Sequence, residues 1–193
     1  MNGKNILLVG VGGQGIVLAS EIMSEFFRRV GYDVKKSEVH GMAQRGGIVS
    51  SHVKIGEKVY SPMIEKGKAD IMLSFEKMET LRWLYYVKPD GVIVSSNVKI
   101  VPPIVSTGEF VYPEDVEESI LKERPDAKIL DIQSALKELG NDKVTNVIMI
   151  GALSTMFGFS PEKWLEVIKE AVPKKVVDVN VEAFKKGRSL MGS

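Results

Sequence analysis

Apolar and polar positions fall into blocks along this chain, and the blocks read as strands and helices in turn. Ile6, Leu7, Leu8 and Val9 form an unbroken apolar run, which predicts a buried strand. Ile16, Ala19, Ile22, Met23, Phe26, Phe27 and Val30 then recur at helical spacing, and Gly31 ends them. Residues 32–37 predict a second strand, more polar and so nearer an edge. Residues 38–47 read as a loop with three glycines. Residues 48–55 predict a strand that Gly56 and Glu57 turn back into 58–61 as a hairpin, which Pro62 breaks. A core strand is expected at 69–75, followed by a helix from Glu76 to about Val87. Pro89, Asp90 and Gly91 signal a turn before Val92, Ile93 and Val94 mark the next strand, which ends at Ser95, Ser96 and Asn97.

The second half is richer in helix. Residues 101–113, with Pro102, Pro103, Gly108 and Pro113, predict a surface connection with short strands. A strand is expected at 127–132 and a short helix at 134–139, closed by Gly140. Asn146 is placed to cap a helix carrying Ile148, Met149, Ala152, Leu153 and Met156. Ser160 caps a further helix with Pro161 at its first position, running to Val172, and Pro173 separates it from a last helix over 177–186. Strands alternating with helices predict the α/β class: a Rossmann-like three-layer fold with a mostly parallel sheet, the first strand central, one β-hairpin insertion and C-terminal helices. Residues 1–193 read as a single domain.

Composition narrows the chemistry. A formal net charge of +1 makes no bulk electrostatic case for nucleic acid or a membrane surface. The absence of cysteine excludes disulfides and cysteine-ligated zinc or iron–sulfur clusters, and it fits a reducing compartment. His40 and His52 are the only histidines, too few for a histidine-rich metal site. Apolar runs fall well short of the roughly 18 residues of a membrane span, and the first strand starts too early to leave room for a signal peptide. A cytoplasmic protein is expected.

The first strand runs into Gly10, Gly12 and Gly15, the G-x-G-x-x-G spacing, with Gly13 as an extra glycine and a helix behind them. Such glycines let the backbone turn tightly and approach a ligand, while free N–H groups at the helix start favour a phosphate. Gly10, Gly12, Gly13, Gln14 and Gly15 are therefore candidate ligand-binding residues. A dinucleotide fold also places an acid after its second strand to hold a ribose. Glu38 lies later than the usual offset of about 20 residues and Asp33 stands at the start of the strand, so neither sits well.

Glycines at 41, 46 and 47 frame a second loop in which Arg45 offers a rigid fork of donors for a phosphate or carboxylate. Both loops lie on the carboxyl edge of a doubly wound sheet, so one composite anion site is expected. His40 lacks an obvious carboxylate partner and reads as a turn residue, and His52 as structural. The chain carries no G-x-x-x-x-G-K-[ST] loop and no G-x-S-x-G nucleophile turn. Asp131, Asn146 and Asn180 read equally well as capping groups.

Three stretches carry a resemblance: Gly10-Val11-Gly12-Gly13-Gln14-Gly15; residues 37–47 (Ser-Glu-Val-His-Gly-Met-Ala-Gln-Arg-Gly-Gly) with Ser51, His52 and Val53; and 146–151 before Gly158 and Phe159, with 180–187 closing the chain. Here the sequence resembles the gamma domain of 2-oxoacid:ferredoxin oxidoreductases, most of all its indolepyruvate-type members, over essentially the whole chain. The resemblance implies an accessory subunit, inactive alone. The complex would oxidatively decarboxylate an arylpyruvate with coenzyme A and pass electrons to ferredoxin. Thiamine diphosphate and iron–sulfur clusters would sit on a larger partner subunit. The pyrophosphate of coenzyme A would suit the Gly10–Gly15 turn, with Arg45, Lys35 and Lys36 as helpers. No catalytic residue and no metal ligand is assigned to this chain, and no nucleic-acid or membrane partner is expected. The isolated chain is expected to expose an apolar or glycine-rich surface and to associate with its large subunit or with itself. Two other classes stay open: a free-standing Rossmann-type nucleotide-dependent oxidoreductase, and a non-catalytic ligand-binding or assembly module.

Overall fold

In a computed structural model that describes residues 3–41, 47–101 and 111–192, the first apolar run becomes β1 (Lys4–Val11), an interior strand of a six-stranded sheet. Apolar residues on both of its faces require cover on both sides. Ile6 and Leu8 enter one core, and Leu7 and Val9 the other. The other strands are β2 (Asp33–His40), β3 (Ile48–Gly56), β4 (Ala69–Ser74), β5 (Val87–Ser96) and β6 (Lys128–Leu130), in the order β2-β3-β1-β4-β5-β6. β1, β4, β5 and β6 pair in parallel, whereas β3 runs antiparallel to both β1 and β2. Five strands thus share one direction, and the sheet is mostly parallel as expected.

The helices are α1 (Ile16–Arg29), α2 (Lys77–Trp83), α3 (Val116–Glu123), α4 (Ile132–Leu139), α5 (Thr145–Ser154), α6 (Pro161–Ala171) and α7 (Val177–Met191). The first core joins α1 and α4–α7 to one face of the sheet, with Phe26 stacked on Trp164 at 3.5 Å between ring centres. The second core, under α2 and α3, is smaller and takes Ile64 from the connection before β4. Every residue of α5 is buried, because α7 covers the side that the sheet leaves open.

Several expectations are corrected. The antiparallel hairpin is formed by β2 and β3, not by 48–61: both edges of β3 are already taken by β1 and β2, so 58–61 finds no free edge. Instead the Val59 N–H donates to the Asp33 carboxylate at 2.9 Å. Residues 38–40 continue β2 rather than opening a loop. Pro89, Asp90 and Gly91 lie within β5, at a register shift against β4 where the missing proline N–H is tolerated. Asn141, rather than Asn146, caps the 142–144 turn that leads into α5. The last helix extends to Met191. The short strands expected within 102–110 lie outside the described residues.

Candidate functional site

The chain leaves β1 toward β2 on one side and β4 toward β5 on the other, so the carboxyl ends of β1 and β4 flank a crevice of the kind that receives ligands in open α/β sheets. Local hydrogen bonds shape the turn at that point. The Val11 N–H donates to Gln14 Oε1 at 2.8 Å, and the Gln14 N–H returns to the Val11 carbonyl at 3.2 Å. Gln14 Nε2 donates across to the Phe75 carbonyl at 2.6 Å, and the Gly12 N–H donates to the Gly47 carbonyl at 2.9 Å. The Gln14 side chain is thus engaged at both ends in holding the turn to β4.

The glycines divide by task. A Cβ on Gly10 would sit 2.7 Å from Gln14 Oε1 and 2.9 Å from the Phe75 Cβ, so close packing requires glycine there. Gly13 has φ +99° and nothing within 4 Å of its would-be Cβ, so its backbone faces open space. Gly15 has φ +75° and rests against the buried Asn146 amide, at 2.8 Å from its would-be Cβ. It is the N-cap of α1, which has no side-chain cap and no acid in its first turn. The positive end of a 14-residue helix is thereby left for an anion, an interaction of up to about 2 kcal/mol in partly buried geometry.

At the turn lies an open cavity of about 510 Å3, lined by Gly12, Gly13 and Gln14 together with Ile100, Lys137 and Thr145 among others. Asp131 caps α4 by accepting the Ser134 N–H, and it also accepts Asn97 Nδ2 at 2.8 Å. These hydrogen bonds hold its carboxyl below the usual range and dock α4, with Lys137 in its last turn, onto the end of β5. Sequence reasoning missed Lys137 and Ile100, since neither belongs to a recognisable pattern.

The other expected site residues fall elsewhere. Arg45 lies outside the described residues, as does the side chain of His40. Lys35 pairs with Asp33 and Lys36 with Glu38 and Glu21, about 13–17 Å down β2 from its carboxyl end at some 3.3 Å per residue. Glu38 also accepts Ser20 Oγ, and Asp33 sits at the amino end of β2, so neither acid lines the cavity. His52 is buried, its Nδ1 accepts the Ile64 N–H at 3.1 Å, and burial lowers its pKa. The neutral ring therefore carries its proton on Nε2. Asn180 donates to the carbonyl of Val176, the residue just before its own helix. With no cysteine in the sequence and no group of three His, Asp or Glu side chains among the described residues, the donor set does not fit an iron–sulfur cluster.

Other cavities lack such a turn. One of about 480 Å3 lies against α1, where Glu25 pairs with Arg28 and Arg29. One of about 820 Å3 lies at the amino end of the sheet, where Lys88 pairs with Asp70. Among the described residues, no helix is long and apolar enough to cross a membrane.

Comparison with known proteins agrees with this architecture. Indolepyruvate oxidoreductase subunit IorB of Thermococcus kodakarensis is 44% identical over 193 residues, covering 97% of this chain and 95% of that protein. The gamma subunit of the keto/oxoacid ferredoxin oxidoreductase of Geobacter sulfurreducens has the same fold, with a TM-score of 0.70 at 23% identity over 97% of this chain and 98% of that one. The 2-oxoglutarate:ferredoxin oxidoreductase of Magnetococcus marinus, solved with 2-oxoglutarate, coenzyme A and succinyl-CoA bound, matches with a TM-score of 0.77 at 22% identity. All of this chain lies over 31% of that one. A family model described as pyruvate ferredoxin/flavodoxin oxidoreductase matches residues 5–190. The chain belongs to the pyruvate ferredoxin/flavodoxin oxidoreductase family.

Proposed function

We propose that this chain is the small subunit of an indolepyruvate-type 2-oxoacid:ferredoxin oxidoreductase, inactive alone, and that its cleft takes part of coenzyme A. The observation that carries this reading is the pairing of an anion-ready turn with a chain that has no cysteine to ligate a cluster. The uncapped α1 start, Gly13 facing open space and Lys137 in the cavity lining suit a phosphate-bearing ligand. Thiamine diphosphate, the clusters and the decarboxylation belong to a larger subunit, and electrons pass to ferredoxin through the complex in the cytoplasm. In the same reading Gly12, Gly13 and Gln14 hold the turn beneath the pyrophosphate, Gly10 and Gly15 seat that turn on β4 and α5, and Arg45 is a charged partner of the same ligand. A free-standing nucleotide-dependent oxidoreductase is disfavoured because Glu38 and Asp33 are both committed to other partners.

For the partner subunit the supporting feature is a pair of exposed tyrosines. Tyr60 is 85% exposed under the Lys58 ammonium, and Tyr85 is 55% exposed under that of Lys66. Large aromatic rings left in water are the side chains that most often anchor protein interfaces.

The test is reconstitution. Expressed alone, the chain should not reduce ferredoxin with any 2-oxoacid. Combined with the thiamine diphosphate subunit it should support indolepyruvate- and coenzyme A-dependent reduction, with indolepyruvate preferred to pyruvate and 2-oxoglutarate. Turnover by the chain alone, or an inactive reconstituted pair, defeats the reading.

A further inference from the structure

We propose that Glu76 is a positioning residue of the cleft: its buried carboxylate ties both ends of the 101–111 connection to the carboxyl edge of β4 and holds the Val98–Ile100 wall at a set distance from the glycine turn. The ligand named in its test rests on the coenzyme A reading above.

Glu76 lies two residues past the end of β4 and is 1% exposed. Its Oε2 accepts the Glu79 N–H at 2.9 Å and caps α2. Its Oε1 has a different use: it accepts the Ile100 N–H at 3.2 Å and the Tyr112 hydroxyl at 2.6 Å. One oxygen thus gathers two points twelve residues apart in sequence. The neighbouring residue adds a second tie, because the Lys77 N–H donates to the Val98 carbonyl at 3.1 Å. Val98 and Ile100 both line the cavity, while the Lys99 ammonium lies over the Tyr112 ring at 4.5 Å.

The glycine turn, which also lines the cavity, hangs on the adjacent residue. Gln14 Nε2 reaches the Phe75 carbonyl, and Gln14 Oε1 holds the Val11 N–H. Both lining segments are therefore referred to Phe75 and Glu76, two consecutive residues just past the end of β4. Tyr112 stays a donor at neutral pH, since burial and the carboxylate beside it push its pKa far above the ordinary value. A carboxylate that accepts three donors in a buried site is costly to disturb, so the wall should shift only when an arm is removed.

Tyr112→Phe removes one arm while leaving the α2 cap and the Ile100 bond. In the assembled complex it should raise the apparent KM for coenzyme A about 3- to 10-fold, with kcat within about twofold, because a lost hydrogen bond to a charged group is felt as positioning. Glu76→Gln must set an amide N–H against a backbone donor, the Glu79 N–H in one orientation or the Ile100 N–H in the other, and it takes the charge from all three bonds, so it should have the larger effect. Hydrogen exchange at the Ile100 amide should quicken in both. A purely structural role predicts a lower Tm with an unchanged KM and unchanged exchange at Ile100, and that outcome overturns the proposal. Gly13→Val serves as the control for the ligand. If it leaves the coenzyme A dependence untouched, the cleft is not the coenzyme A site. Exchange at Ile100 then decides alone whether Glu76 sets the wall: quickening upholds it and no change refutes it.

Discussion

Where α5 crosses α7, Gly151 and Gly187 each face the backbone of the other helix, and a Cβ on either would collide with the carbonyl oxygen of Phe184 or of Ile148. At the turn after β1, Gly13 faces nothing within 4 Å and needs glycine only for its φ of +99°. The first pair exists for proximity, the second position for conformation. The difference shows why a glycine in a motif is not in itself a ligand contact. Gly10 and Gly15 belong to the same G-x-G-x-x-G pattern as Gly12, beside the extra Gly13, yet their missing side chains make room for Gln14 and Phe75 in one case and for Asn146 in the other.

The sharpest break of this comparison is Gly187→Ala. A methyl group driven into a backbone carbonyl must push α7 off the buried α5, and a loss of at least about 3 kcal/mol is expected. For a chain of this size that lowers Tm by roughly 6–12 °C. A calorimetric scan showing less than a third of that shift would mean the helices are not in backbone contact.

Gly15→Ala comes next, at about 1–3 kcal/mol, because positive φ strain adds to a clash with Asn146. Combined with Asn146→Ala, it should cost less than the sum of the two single changes. Strict additivity in denaturant unfolding would separate the pair and remove the packing argument at Gly15.

Gly13→Ala should cost about 1–2 kcal/mol, from backbone conformation alone. It differs from the helix crossing in having nothing to collide with. Gly13→Val is expected to lose no more than about another 1 kcal/mol, the scale of χ1 restriction in a branched side chain. A steep dependence on side-chain size would show that the turn is closed rather than open.

The smallest effect concerns pH. Burial lowers the pKa of His52 below 6.5, so the unfolded chain binds the proton first as pH falls. The stability held by the neutral ring is complete above about pH 6.5 and declines below it. His52→Asn keeps an acceptor for the Ile64 N–H and removes the titration. Urea unfolding at about pH 5 and about pH 7.5 should give the variant a shallower loss on acidification than the parent. Equal slopes would place the acid sensitivity in other groups.

Local order was legible wherever the sequence carries its own signal. The apolar run of β1, the amphipathic repeat of α1, the Ser160-Pro161 start of α6 and the glycine spacing all depend on residues within one or two turns of each other, so the chain determined them by itself. Gly12, Gly13 and Gln14 were found at the cleft for the same reason. Tertiary structure decided what depends on distant partners. Gln14 binds a carbonyl 61 residues away, Glu76 gathers Ile100 and Tyr112, and Asn146 leaves its expected capping role to pack against Gly15. The hairpin also moved from 48–61 to β2 and β3, because pairing is settled by which strand edge is free once the sheet has formed. Hydrophobic periodicity states which face of a segment is buried. It does not state which neighbour buries it, since that choice rests on contacts among residues far apart in the chain.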